Sequence, residues 1–122
     1  MATVRYLVAD VNRSIDFYTK GLGFKLDQSM APAFARVSKK DLTLWLAGPQ
    51  SSAARPMPDG RRPEPGGWNR FVVEVDNLES RVDEMRQASL RFRNEVVSGP
   101  GGKQILLEDP DGNVVELFEA AH

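Results

Sequence analysis

The first part of the chain alternates apolar and polar positions in a way that predicts one strand, one helix and three further strands. Thr3–Val8 has the two-residue period of a strand with one face on a core. Apolar residues at helical spacing then predict a helix over Ser14–Lys20, capped by Asn12 or Ser14 and ended by a glycine. Three short strands follow between polar turns: Phe24–Leu26, Phe34–Val37 and Leu42–Leu46.

Segment 48–67 interrupts the pattern with five of the eight prolines and four glycines, which predicts a linker or a lid. After it the opening pattern returns, because Arg70–Val73 repeats the order of residue types in Arg5–Val8. This indicates an internal repeat. The second copy predicts a helix and three strands: Leu78–Gln87, Arg91–Val97, Gln104–Glu108 and Asn113–Phe118.

Two segments of the second copy contain residues that favour turns. Asp109-Pro110-Asp111-Gly112 predicts a tight turn whose acids form the turn and do not hold calcium, because a calcium loop needs further carboxylates at alternating positions. The glycine-rich Ser98–Lys103 predicts a hairpin connection, with an anion-binding loop as the alternative.

Two copies of a strand, a helix and three strands predict an α+β fold of two curved mixed sheets around a cavity, each with a helix on its outer face. We expect one domain over residues 1–122, with a first module at about 2–47, the linker at about 48–67 and a second module at about 68–119. Alternation places two sets of residues of the second module on its inner face: Arg70, Val72 and Glu74, and Val114, Glu116 and Phe118.

Charge and composition exclude several classes of function. The 16 Lys+Arg and 17 Asp+Glu give a net charge of -1, so no basic field is present to attract nucleic acid. No apolar stretch reaches the roughly 18–20 residues that span a bilayer, and Met1–Asp10 has no signal-peptide layout. We therefore expect a cytoplasmic protein that binds neither nucleic acid nor membrane.

The chain has no cysteine and one histidine, the terminal His122. This excludes disulfides and thiolate chemistry and makes Ser–His catalysis and multi-histidine zinc sites improbable. Any binding or catalysis must therefore use carboxylates, arginines, hydroxyls, amides and aromatic rings.

Three motifs resemble the signatures of the vicinal oxygen chelate superfamily: Val8–Tyr18, the following Gly21-Leu22-Gly23-Phe24, and Glu108–Leu117. This superfamily includes glyoxalase I, extradiol dioxygenases, fosfomycin-modifying enzymes and bleomycin-sequestering proteins. The resemblance covers nearly the whole chain apart from segment 48–67. It implies two βαβββ modules and a homodimer, and it leaves the activity open because this scaffold hosts unrelated chemistries.

In metal-dependent members that this chain resembles, the first and last strands of each module carry ligands to one ion. The resemblance maps these positions to Thr3, Trp45, Arg70 and Glu116. Only Glu116 is an anionic ligand, and neither indole nor guanidinium coordinates a cation. We therefore expect no cofactor, and a divalent metal held by Glu116 in a degenerate site is the disfavoured alternative.

Arg70 and Glu116 have two interpretations. They form a mutually satisfied ion pair, which we favour because a neighbouring arginine weakens a carboxylate as a base, or Glu116 is a catalytic base with Arg70 as its electrophilic partner. Arg70 gripping an anionic group of a ligand is compatible with both. The rings of Trp45 and Trp68 offer contact area for an aromatic molecule, although each could instead fill the cavity or seal a dimer contact. The predicted ligand-binding residues are Thr3, Phe34, Trp45, Trp68, Arg70, Glu116 and Phe118.

The leading hypothesis is a metal-independent protein that binds or sequesters a small organic molecule, with aromatic molecules among the candidates. The alternative is a lyase, isomerase or degenerate metalloenzyme that uses Glu116. A third class is a non-catalytic partner-binding module whose cavity is filled by its own side chains.

Overall fold

The computed structural model describes residues 2–121. The chain divides into two compact units, residues 1–66 and 67–122. Within the described residues, each unit has one α-helix and one mixed sheet. The sheet has four strands in the first unit and five in the second. The predicted α+β class with two mixed sheets is confirmed.

The first unit contains four strands and a short helix. Its elements are β1 (Ala2–Leu7), α1 (Val11–Asp16), β2 (Lys25–Met30), β3 (Phe34–Lys39) and β4 (Leu42–Ala47). The strand order is β1-β4-β3-β2, with β1 and β4 parallel and the other pairs antiparallel. One sheet face carries the buried core, to which β4 contributes Leu44 and Leu46. The opposite face carries Trp45.

The first helix begins earlier than the sequence predicts. Asp10 is its N-cap, and the carboxylate accepts a hydrogen bond from the Arg13 amide at 3.1 Å, so neither Asn12 nor Ser14 has this role. After Asp16 the chain continues through a π-helical turn, Phe17–Gly21. The predicted start at Ser14 was wrong because the Asp10 carboxylate satisfies an amide at the start of the first turn.

The second unit also begins with a strand and a helix, which four further strands follow. Its elements are β5 (Arg70–Glu74), α2 (Leu78–Gln87), β6 (Arg91–Phe92), β7 (Val97–Gly99), β8 (Gly102–Glu108) and β9 (Val114–Ala120). The sheet order is β5-β9-β8-β6, with β7 also paired to β8 and with β5 parallel to β9. Helix α2 has the predicted bounds, and Leu78, Val82 and Met85 are its buried positions.

The single strand predicted over Arg91–Val97 is wrong, because the chain forms two short strands there. Between β6 and β7 the Asn94 side-chain oxygen accepts the Leu106 amide at 3.0 Å. A side chain thus takes the place of a backbone partner and interrupts the ladder.

The two predicted turns are present. Gly112 has a φ of 82°, its amide donates to the Asp109 carbonyl at 3.0 Å, and the buried Asp109 side chain accepts from the Asn113 amide at 2.8 Å. Asp109 is therefore a turn former, as the sequence indicates. Ser98–Lys103 is a hairpin in which Gly99 pairs with Gly102. Among residues 2–121, no helix is long and apolar enough to cross a membrane.

Candidate functional site

The open face of the second sheet carries the predicted inner residues of β5 and β9. Val72 pairs with Glu116 across these parallel strands, and Leu106 of β8 pairs with Glu116 on its other side. Glu116 therefore lies at the middle of the face, between two apolar neighbours. It is 8% exposed, whereas Val72 at the sheet edge is 50% exposed.

Arg70 and Glu116 form the favoured ion pair. The Arg70 Nε donates to Glu116 Oε1 at 2.9 Å, and Arg70 Nη1 donates to the Trp68 carbonyl at 3.3 Å. The Arg70 side chain is 32% exposed and that of Glu116 is 10% exposed. Because the carboxylate is the more buried partner, it depends more strongly on the pair for its solvation.

A second arginine on this face holds the ring of Trp68. The Arg93 guanidinium carbon lies 4.4 Å from the indole centroid, which is cation–π geometry. Its nitrogens donate to Glu108 Oε2 at 2.7 Å, to the Gly67 carbonyl at 2.8 Å and to the Gly112 carbonyl at 2.9 Å. These three bonds fix the guanidinium, so Trp68 lies on a preorganised support.

Trp68 remains accessible despite this contact. The residue is 68% exposed, the highest value among the exposed large apolar residues of the described chain. Phe118, which the sequence also places on this face, is half-buried and pairs with Gln104 and Glu74 on neighbouring strands. The structure thus brings Trp68, Arg70, Glu116 and Phe118 to one unit.

The other predicted ligand residues lie in the first unit. The Trp45 ring makes an edge contact with Phe34 at a centroid distance of 5.7 Å, and the Arg5 guanidinium lies 4.8 Å from its centroid. Thr3 is exposed on β1, where it pairs with Thr43. Trp45, Phe34 and Thr3 remain predicted ligand contacts, and the cavity expected between the two inner faces remains a prediction.

Sequence reasoning missed Arg93, Glu108 and Arg5 as parts of these clusters. The signal for Arg5 was present, because strand alternation puts it on the face of Thr3, and parallel pairing of β1 with β4 places it beside Trp45. Arg93 had no such signal. It follows the two-residue β6 and reaches Trp68 through a tertiary contact.

The residues at the four metal positions implied by the resemblance do not fit a metal ion. Glu116 already accepts a hydrogen bond from a guanidinium, and the Trp45 ring lies against Arg5. Thr3 offers a single neutral hydroxyl, which is a weak ligand. No group of three His, Cys, Asp or Glu side chains suited to an ion is present within residues 2–121.

Comparison with known proteins agrees with the fold. Residues 1–117 match the family described as the Glyoxalase/Bleomycin resistance protein/Dioxygenase superfamily. The chain is 32% identical over 120 residues to a lactoylglutathione lyase from Escherichia coli O157:H7, covering 92% of this chain and 86% of that protein. It is 27% identical over 128 residues to a probable chloroplastic lactoylglutathione lyase from Arabidopsis thaliana, covering 98% of this chain but only 35% of that longer protein.

A solved structure has the same fold. The crystal structure of an antibiotic binding protein from Streptomyces sp. CB03234 superposes with a TM-score of 0.72 at 24% identity, covering 98% of this chain and 93% of that one. The two mixed sheets and this superposition thus define a protein of the glyoxalase fold. The chain belongs to the Glyoxalase/Bleomycin resistance protein/Dioxygenase superfamily.

Proposed function

We propose that the protein binds a small organic molecule with a flat ring on the open face of its second sheet, without a metal ion. The observation that carries the proposal is Trp68, which is 68% exposed while its ring rests on the fixed Arg93 guanidinium. An exposed indole whose position is already set loses little conformational freedom on binding. A ring of a ligand stacks on the accessible part of the indole.

The charges of the face favour an uncharged or zwitterionic ligand. Arg70 is paired with Glu116 and Arg93 with Glu108, so neither guanidinium presents an unbalanced positive charge. Polar atoms of these pairs orient the ligand, and the apolar surface of Val72, half exposed beside them, adds contact area. The fold is shared with an antibiotic binding protein, which agrees with a binding or sequestering role at the level of fold.

A titration in the presence of a chelator tests the proposal. A panel of flat aromatic metabolites and bleomycin-like glycopeptides is screened by thermal shift with EDTA present, and hits are titrated by calorimetry. We expect a hit whose affinity falls about tenfold or more in Trp68→Ala, because a stacked ring loses its partner. Met57→Ala removes an exposed apolar side chain of the first unit, away from the strands of this face, and is the control, expected to bind normally.

Two results contradict the proposal. One is a panel that gives no stabilisation in EDTA while a divalent metal alone raises the melting temperature. The other is an equal loss of affinity in Trp68→Ala and Met57→Ala.

The second candidate function is a lyase or isomerase in which Glu116 is the base. The observation that favours it is the 32% identity to a protein named lactoylglutathione lyase. The Arg70 contact argues against it, because the Glu116 Oε1 atom that would take a proton already accepts a hydrogen bond from Arg70 Nε at 2.9 Å. Turnover of lactoylglutathione or of an α-keto thiohemiacetal, with and without added divalent metal, separates the two functions. Activity abolished by Glu116→Gln supports the enzyme.

We also propose that the chain forms a homodimer, as the resemblance implies. The apolar residues that remain exposed on both units support it, among them Leu26, Met30 and Val72.

A further inference from the structure

Segment 48–66 lines one side of an open cavity in the first unit. The segment folds back over the carboxyl ends of the parallel strands β1 and β4 and leaves a cavity of about 270 Å³. Leu7 and Ala47 line it from the strands, and Ala54, Arg62, Pro63 and Pro65 line it from the segment. The segment predicted as a linker or lid therefore forms one wall of a pocket.

The strand-end wall of this cavity presents few open polar groups. The Val8 amide donates to the Ala47 carbonyl at 3.0 Å, and the Gly48 amide donates to the Ala33 carbonyl at 2.9 Å. The Gly48 carbonyl accepts from the Ser51 hydroxyl at 2.7 Å. Because these backbone groups are already bonded to the protein, the wall suits the apolar body of a ligand.

Arg62 is the charged group of the cavity. Its neighbour Arg61 donates to Asp59 Oδ2 at 2.7 Å, whereas Arg62 makes no ion pair or side-chain hydrogen bond with any residue in 2–121. A guanidinium presents a planar fork of donors that matches a carboxylate. Arg62, an exposed residue that lines an apolar cavity, is thus complementary to a molecule with one anionic end.

We propose that this cavity binds a small apolar monocarboxylate, with the carboxylate on Arg62 and the apolar body against the ends of β1 and β4. The cavity volume lies just below the range of about 300–1,000 Å³ of pockets for drug-sized ligands, so the ligand is small. The lining residues of this site all belong to the first unit, whereas those of the proposed ring-binding face belong to the second.

Calorimetric titration with sodium benzoate and sodium hexanoate tests the proposal. Benzamide is the uncharged probe and inorganic phosphate is the probe without an apolar body. We expect both carboxylates to bind and Arg62→Gln to weaken them about tenfold or more, because a charge-assisted contact is lost. Arg61→Gln is the matched control, since Arg61 pairs with Asp59, and we expect it to bind as the unaltered protein does.

A second variant separates filling of the cavity from loss of charge. Ala54→Leu keeps Arg62 but places bulk in the cavity, so we expect it to weaken benzoate while the melting temperature of the protein stays unchanged. Amide resonances of Leu7 and Ala47 should shift on benzoate addition, and Trp68→Ala should bind benzoate normally. Failure of the ring-binding proposal therefore leaves this test intact.

Three results overturn the proposal. They are the absence of benzoate binding, equal binding of benzamide and benzoate, and equal weakening by Arg61→Gln and Arg62→Gln.

Discussion

The role of each arginine near the sheet faces depends on its neighbour. Arg70 and Arg93 are paired with carboxylates, Arg5 lies on an indole, and Arg62 lines a cavity in which we propose that it receives an anion. The same side-chain chemistry therefore serves as ion-pair partner, ring support and anion receptor. Burial decides which of these contacts matters for stability, because a charge that water can reach needs its partner less.

The Arg70–Glu116 pair predicts an unequal cost of removing each partner. Arg70→Gln leaves a carboxylate that is 10% exposed without its cation, and we expect a loss of about 2–3 kcal/mol in the free energy of unfolding. Glu116→Gln leaves a guanidinium that is 32% exposed to water, and we expect a loss of about 1 kcal/mol. Urea denaturation measures both values. Equal losses, or a larger loss in Glu116→Gln, would contradict this account of the pair.

Substitution by lysine should affect the stability of the protein at Arg93 but not at Arg91, two positions earlier in the chain. Arg93→Lys removes the fork that joins Glu108 and two backbone carbonyls, and we expect it to cost about 1–3 kcal/mol and to change the fluorescence of Trp68. The exposed Arg91 is the control, and Arg91→Lys should leave both quantities unchanged. Unaltered Trp68 emission in Arg93→Lys would show that the guanidinium does not hold the ring.

At the level of elements, close approaches of the backbone decide where the chain turns. At Gly48 the end of β4 passes so close to its neighbours that an added Cβ would lie 2.5 Å from the Pro32 carbonyl oxygen and 2.9 Å from Val11 Cγ2. Only glycine fits there without movement of the backbone. The direction in which segment 48–66 leaves β4 depends on this position. The cavity that this segment lines therefore depends on it too.

Gly48→Ala is therefore expected to destabilise the protein. Overpacking of this kind costs about 1–3 kcal/mol, which thermal and urea denaturation both detect. Gly99→Ala is the matched control, because an added Cβ at Gly99 meets no atom within 4 Å. If the two variants have equal stability, the close approach at Gly48 is not a constraint in solution.

The elements that local pattern determines could be predicted from the sequence. Helix α2 has its predicted bounds because Leu78, Val82 and Met85 repeat at helical spacing, and its interior contains neither glycine nor proline. The start of α1 could not be predicted as well, because Asp10, Asn12 and Ser14 are all good caps and tertiary structure selects among them. The break between β6 and β7 depends on the Asn94 side chain, which has no periodic signal.

Strand alternation made only part of the candidate site predictable, namely the residues that lie within regular strands. Arg70 and Glu116 are 46 residues apart, yet alternation within each strand predicts both on the inner face of the second module, and the parallel pairing of β5 with β9 brings them together. The support of Trp68 by Arg93 and the cavity under segment 48–66 are tertiary contacts of irregular chain. Neither the residue period nor the resemblance determines them.

For the whole molecule, we expect a dimer of two copies of this chain. The exposed apolar residues of both units would gain cover by association, and C2 dimers are the commonest closed assembly. Sedimentation velocity should give a mass about twice the 13.6 kDa of the chain. A monomer at every concentration tested would contradict the prediction. Met30→Asp places a charge on the exposed strand β2, and dissociation of the dimer in this variant would show that β2 takes part in the interface.

A crystal structure of protein purified without chelator and soaked with the tightest aromatic hit decides between a ring-binding face and a metal site. We expect a ring stacked on Trp68 and an intact contact between Arg70 and Glu116, with no ion beside the carboxylate. A metal ion bound to Glu116, with Arg70 turned away from it, would overturn the proposed metal-independent binding.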